Sequence, residues 1–140
     1  MTAHDGSTFP AALIEFVELF NAERFWESHE VLEQPWRSNR SRFYQGLILM
    51  ASAYVHVQRG NPIGVRKQLL KTRRRLAGLP KSYLGIDLAR IDHESERLLR
   101  IVESPHAPTG TALQRSVRFL RLSLDRELIR GDEPELVGVR

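Results

Sequence analysis

Cysteine is absent from the 140-residue sequence, which excludes disulfide bonds and thiolate metal sites and leaves His, Asp and Glu as metal ligands. Long apolar runs are absent as well. The stretch GLILMASAYVHV is too short and too interrupted to span a bilayer, and the opening MTAHDGSTFP lacks the basic start and apolar core of a signal peptide. We therefore expect a soluble, cytoplasmic protein with no membrane association.

Acidic residues are missing from the middle of the chain. Residues 34–86 contain eleven Lys or Arg and no Asp or Glu, whereas residues 1–33 contain seven acids and only Arg24 as a base. A basic segment of this kind can attract an acidic protein or a nucleic acid. It can also pair with the acidic flanks of its own chain, and the sequence leaves both interpretations open.

Alternating runs rich in β-branched residues, which would indicate a sheet, are not apparent, and apolar residues recur instead at helical spacing. The predicted fold class is all-α, a single bundle of five to six helices built from antiparallel hairpins. Residues 1–140 form one domain in this prediction, with residues 1–8 and 131–140 as flexible tails.

Glycine, proline and capping residues set the predicted helix boundaries. We expect a left-handed cap at Asn21, a kinked or unwinding last turn at Pro35, and N-caps at Asn61 and Asp87. The third helix is apolar almost all round, which predicts the central, buried helix. The predicted helices span about 10–21, 23–37, 41–59 and 111–130, with a fourth helix that begins at Pro62 and ends before Gly78 and a fifth that follows Asp87 and includes Val102.

The stretch FWESHEVLEQPWR, residues 25–37, mixes ionisable and aromatic side chains on one predicted helix. His29, Glu33 and Trp36 are four and then three residues apart, so they share a helix face. A histidine and a carboxylate at this spacing can share a divalent metal or form a proton-transfer pair, so His29 and Glu33 are candidate catalytic or metal-binding residues. Trp26 and the neighbouring phenylalanines are expected to be core.

Further pocket candidates come from both helices of this predicted hairpin. Trp36 would form a wall, Glu30 would add a carboxylate, and the third helix would contribute the polar side chains of Gln45, Ser52 and His56. Counting along the hairpin places Glu33 opposite Gln45. The sequence thus predicts a semi-polar pocket between helices two and three, for a small polar ligand or a divalent metal. The alternative is purely structural, with these groups hydrogen-bonded to each other and locking the two helices together.

The pattern His-x-x-x-Glu-x-x-Trp, preceded by FNAERFWES and followed by FYQGLILMASAYVHVQRGNPIG, resembles the bacterial and archaeal family catalogued as domain of unknown function 309. The resemblance covers about residues 16–77. It implies a small all-helical domain in which His29, Glu33 and Trp36 are the hallmark and a candidate functional site. It implies no particular activity, cofactor or partner. Pro35 and the Glu23-Arg24 turn depart from the family pattern.

Two other functional interpretations use different surfaces. The fourth helix presents a basic face suited to an acidic protein or nucleic acid, and an open bundle could also form a homodimer through uncovered apolar surface. No nucleophile motif or glycine-rich phosphate loop is present, so the sequence does not decide whether the protein is an enzyme. The basic face consists of Arg66, Lys67, Lys71, Arg73, Arg74 and Arg75.

Overall fold

The computed structural model describes residues 9–136, and within them α-helices dominate, with one two-stranded β-hairpin. The predicted all-α class is therefore confirmed. The hairpin pairs β1, Ser82–Tyr83, with β2, Ile86–Asp87, in antiparallel register. The helices are α1 Ala11–Asn21, α2 Phe25–Asn39, α3 Arg42–Gln58, α4 Pro62–Leu76, α5 Leu88–Val102 and α6 Gly110–Ser116; short 3-10 turns follow at Arg126–Leu128 and Pro134–Leu136.

The central helix is α3, as its sequence predicts. It packs against α2 on one side and α4 on the other, while α1 packs on α2 and α5 packs on α4. Eleven of its seventeen residues are buried, because apolar side chains surround the whole helix. One cluster of buried apolar side chains contains residues from every one of these helices and from the hairpin. No helix within residues 9–136 is long and apolar enough to cross a membrane.

Local capping signals place several helix ends where the sequence predicts them. The Asn61 side chain accepts a hydrogen bond from the Gly64 amide at 3.1 Å, and the Asp87 side chain accepts one from the Arg90 amide at 3.0 Å. Each bond satisfies an amide that the first turn of a helix leaves unpaired. The turn at the end of α3 contains Gly60, at φ +67°.

The prediction at Asn21 is wrong, because the left-handed residue after α1 is Glu23, at φ 61°. The Asn21 side chain is used elsewhere: its amide donates to the Leu122 carbonyl and its oxygen accepts from the Leu122 amide, both at 2.8 Å. The predicted unwinding at Pro35 is also wrong, since α2 continues to Asn39. Proline removes only one backbone donor, and the packing of α2 on its neighbours maintains the helix.

The sixth predicted helix, residues 111–130, is wrong beyond Ser116. Val117 has extended dihedral angles, φ −107° and ψ 129°, and no α-helix follows it in the described chain. Leu120 and Leu122 are both buried while Arg121 between them is exposed, which is the two-residue period of an extended chain. This alternation is visible in the sequence, but the same leucines also fit a helical spacing.

Residues 131–136, which belong to the predicted C-terminal tail, make specific buried contacts. The Glu133 carboxylate accepts hydrogen bonds from the amides of Leu84, Arg130 and Gly131, at 2.8, 3.0 and 2.8 Å. Burial raises the pKa of Glu133, but these backbone donors lower it more, so its pKa lies below the ordinary value. Residues 1–8 and 137–140, the rest of the predicted tails, lie outside the described residues.

Glu135, the second buried carboxylate of this segment, joins two distant parts of the fold. It accepts hydrogen bonds from the hydroxyls of Ser41, at the start of α3, and Tyr83, in β1, the latter at 2.7 Å. Burial and this carboxylate raise the pKa of the Tyr83 hydroxyl. The C-terminal segment thus connects the hairpin to the central helix.

Candidate functional site

His29 and Glu33 lie one helical turn apart on α2, as their spacing requires. The His29 Nε2 atom is 3.7 Å from Glu33 Oε2, and the two side chains are 19% and 32% exposed. The other Glu33 oxygen is 3.9 Å from the Arg37 guanidinium. The His29 Nδ1 atom is buried and has no hydrogen-bond partner among residues 9–136. Most buried polar atoms in proteins are hydrogen-bonded, so this nitrogen is a free polar position beside the His29 and Glu33 pair.

Trp26 forms the outer edge of this group, and its predicted place in the core is wrong. Its side chain is 50% exposed. Phe25, the preceding residue, faces the core, so Trp26 lies on the neighbouring, outer face of the helix. The indole stacks on the His29 ring with centroids 5.2 Å apart, and the Arg59 guanidinium lies 5.9 Å from the indole centroid. Trp26 was not predicted to be part of the site, although its three-residue spacing from His29 is a usable signal.

Trp36 and Glu30, the other two candidates on α2, lie on different faces. Trp36 is half-buried against the core, and the Arg40 guanidinium lies 4.7 Å from its ring centroid. Its indole makes no hydrogen bond to the described residues. Glu30 is exposed, with no ion pair to a described residue. The structure therefore adds neither group to the His29 and Glu33 pair.

The candidates on α3 do not complete a site with His29. Gln45 and Ser52 are half-buried and make no side-chain hydrogen bonds within residues 9–136, so the predicted contact of Glu33 with Gln45 is not a hydrogen bond. His56 faces α4 instead. Its ring lies against Gly64, and its Nδ1 atom is 3.4 Å from the side-chain amide nitrogen of Asn61. Burial and the nearby Arg59 lower the pKa of His56.

Among the described residues, only His29 and Glu33 are placed to share a metal ion at this position. Within residues 9–136 no group of three or more His, Asp or Glu side chains is arranged to hold an ion. The 3.7 Å separation of the His29 and Glu33 atoms exceeds a hydrogen bond. Two ligands about 2.1 Å from one zinc ion, at tetrahedral or trigonal angles, lie about 3.4–3.6 Å apart, so the pair matches one edge of such a site.

The basic face of α4 divides into two parts. Arg66 pairs with Glu103 at 2.9 Å and Arg73 pairs with Asp92 at 2.9 Å, so α5 and the residue that follows it neutralise these two arginines. The predicted pairing of the basic segment with an acidic flank is therefore present for this part. The remaining four basic residues are exposed and have no ion pair to any residue in the described range; we call them the basic stripe: Lys67, Lys71, Arg74 and Arg75.

Two well-formed cavities in the described part of the chain lie elsewhere than between the second and third helices, where the sequence predicts a pocket. A cavity of about 720 Å³ lies between α4, residues 77–81 and α5. A second, of about 200 Å³, lies between β2, α5 and residues 120–128. Neither is lined by a residue of α2 or α3, because these helices pack closely on each other.

Comparison with known proteins bears on the first four helices. Residues 13–68 match the model of a family described as a domain of unknown function, DUF309. This match confirms the resemblance to DUF309. The DUF309 match contains His29, Glu33 and Trp36 but ends inside α4, so most of the basic stripe and the 720 Å³ cavity lie beyond it.

A curated relative supports the same family. The uncharacterised protein YpuF of Bacillus subtilis (strain 168) is 30% identical to this chain over 108 residues, which are 74% of this chain. The chain spans 59% of the length of that relative. The DUF309 description and this relative's name assign no activity, so function must be argued from the geometry.

Proposed function

We propose that this protein is a non-enzymatic binding module whose basic stripe docks on an acidic surface of a partner protein. The observation that carries this proposal is the division of the α4 face. Arg66 and Arg73 have acidic partners at the C-terminal end of α5 and on α5, whereas the basic stripe is exposed and unpaired within the described residues. A group of unpaired positive charges raises the local concentration of an acidic partner and speeds its association.

The shape of the stripe favours an acidic protein over a nucleic acid. Lys67 and Arg75 are eight residues apart on α4, which corresponds to about 12 Å along the helix. The residues of α4 include no aromatic side chain on which a base could stack. A short linear stripe of this kind fits an acidic helix of another protein.

The test is the binding of a labelled acidic peptide, a glutamate-rich 20-mer, at several salt concentrations. We expect measurable binding at low salt that weakens as salt is added, because exposed charge pairs are screened. Reversing Lys67, Lys71 and Arg75 to Glu together should weaken binding about ten-fold or more, the equivalent of about 1.4 kcal/mol.

The control changes the net charge equally at other exposed positions. Arg90, Arg115 and Arg118 are exposed, and none is part of the basic stripe. Their reversal to Glu should weaken binding less than about three-fold. Equal loss in both triple variants, or no binding at low salt, would overturn the proposal. Stronger binding of an oligonucleotide of equal charge would reassign the partner to nucleic acid.

A second candidate function is a divalent-metal or small polar ligand site at His29 and Glu33. The metal is favoured by the 3.7 Å separation of His29 Nε2 from the Glu33 carboxylate. A small polar ligand is favoured by the buried His29 Nδ1 atom, which has no hydrogen-bond partner among the described residues. In this site the two side chains would be ligands or a proton-transfer pair. Water or a bound molecule would have to fill the remaining coordination positions.

Thermal unfolding of the metal-stripped protein against a panel of divalent ions tests this second function. An ion that binds only the folded state should add about 2.7 kcal/mol at a hundred times its dissociation constant, and the midpoint should rise. Glu33→Ala should abolish the rise. Glu30→Ala, an exposed carboxylate on the same helix, should keep it. A rise of the same size in Glu33→Ala, or no rise with any ion, excludes the metal site.

A further inference from the structure

The cavity of about 720 Å³ beside α4 has the size of a small-molecule site, since ligand pockets usually measure about 300–1,000 Å³. The chain opens this space where α4 ends, because Ala77 is extended and Gly78 has φ +87°, which leads residues 77–81 away from the helix before the hairpin returns. The first turns of α5 form the opposite wall.

The lining of this cavity is partly apolar. Leu88 and Ile91 of α5 are 6% and 1% exposed, so this wall consists of well-packed core side chains. Leucines of α4 and of the segment after it are half-buried against the same core. These surfaces provide the hydrophobic contact that most small ligands need. The apolar lining residues are Leu70, Leu76, Leu79, Leu88 and Ile91.

One polar side chain in the lining lacks a partner. Ser95 is 4% exposed and lines the cavity, and its hydroxyl makes no hydrogen bond to any described residue. Thr72, which also lines the cavity, is buried but satisfied, since its hydroxyl donates to the Gln68 carbonyl at 2.8 Å. The Ser95 hydroxyl oxygen keeps some access to solvent through the cavity, so it is available to a ligand.

The charge around the cavity is positive. Arg73 is neutralised by Asp92, with hydrogen bonds of 2.9 and 3.4 Å, whereas Arg74 and Lys81 are exposed and have no ion pair to a described residue. The carbonyl oxygens at the end of α4 would repel an anion, but the Arg42 guanidinium covers those of Arg74, Arg75 and Ala77. The remaining charge of this cavity therefore favours an anionic ligand.

We propose that this cavity binds a small amphipathic anion. Its apolar body contacts the leucine and isoleucine lining, its carboxylate or phosphate head lies at Arg74 and Lys81, and a polar atom hydrogen-bonds the Ser95 hydroxyl. The site does not depend on the docking function of the basic stripe, with which it shares only Arg74.

Isothermal titration calorimetry with decanoate, decyl phosphate and decanol, each below its aggregation concentration, tests the proposal. We expect saturable binding of one anion per chain, with decanol binding about ten-fold or more weakly because it lacks the charged head. The double variant Arg74→Gln/Lys81→Gln should weaken the better anion about ten-fold or more, and Ser95→Ala should weaken it several-fold. The preference between the two anions identifies the head group.

The control variant is Lys71→Gln/Arg75→Gln, which removes the same charge from stripe residues that do not line the cavity. It should change anion affinity by less than about three-fold while weakening binding of the acidic peptide. Circular dichroism checks that each variant remains helical. Equal loss in both double variants, equal binding of decanol, or no saturable binding of either anion overturns the proposal. None of these results decides whether the acidic peptide binds, so the two proposals fail separately.

Discussion

Replacing Phe25 by alanine is expected to cost about 3–5 kcal/mol of unfolding free energy, because it empties the centre of an aromatic cluster. Phe25 is 1% exposed. Its ring lies 4.8, 5.2 and 5.6 Å from the centroids of Phe20, Tyr54 and Phe119. These partners come from α1, α3 and the extended segment after α6, so the cavity would loosen three elements together. Thermal or urea unfolding measures the loss.

Trp26→Ala is the matched control, since Trp26 is the next residue of the same helical turn and is also aromatic. It is half exposed, and among the described residues its ring contacts His29 and Arg59. Its removal should cost about 1 kcal/mol or less. Similar costs for the two substitutions would contradict the assignment of Phe25 to the core and Trp26 to the surface.

Gly60→Ala is expected to destabilise the protein by about 2–5 kcal/mol, the sum of a backbone term and a packing term. Gly60 has φ +67°, a conformation that alanine adopts only with strain. An added Cβ would also lie 2.3 Å from the Cα atom and 2.5 Å from the nitrogen of Gly110. These are backbone atoms, so α6 would have to move and lengthen the 3.0 Å hydrogen bond from the Gly110 amide to the Gly60 carbonyl.

Gly110→Ala separates these two terms, because Gly110 also has positive φ, +57°, but an added Cβ there meets nothing within 4 Å. Gly110→Ala should be destabilised only by the strain of alanine at positive φ, about 1–2 kcal/mol of unfolding free energy. Chemical denaturation of both variants gives the difference. If Gly110→Ala were as destabilising as Gly60→Ala, the close contact between α6 and the turn after α3 would contribute nothing.

Helix positions in the first two thirds of the chain were predictable because their signals are local. Asn61 and Asp87 cap helices through residues three positions away, and the all-round apolar pattern of α3 identifies it as central. Residues 117–130 were mispredicted because their leucines fit both the helical period and the two-residue period of an extended chain. The choice between helix and extended chain depends on a distant partner. Asn21, about a hundred residues earlier, holds Leu122 in the extended form through both of its backbone groups.

Only the contacts of the candidate site that lie within one helix were predictable from the sequence. The four-residue spacing of His29 and Glu33 places them on one face whatever surrounds them, and the structure has their side chains 3.7 Å apart. Contacts between helices were not predictable in this way. The relative rotation of α2, α3 and α4 directs His56 toward Gly64, and Gln45 makes no hydrogen bond with a described residue.

The sequence by itself determined the helix class, most helix boundaries and the uneven distribution of charge, since these depend on residues a few positions apart. The tertiary structure alone decided which basic residues stay unpaired and which aromatic residue is buried. It also decided that two buried carboxylates, Glu133 and Glu135, hold the C-terminal segment. These outcomes depend on side chains far apart in the chain, whose positions are set only when the helices pack together.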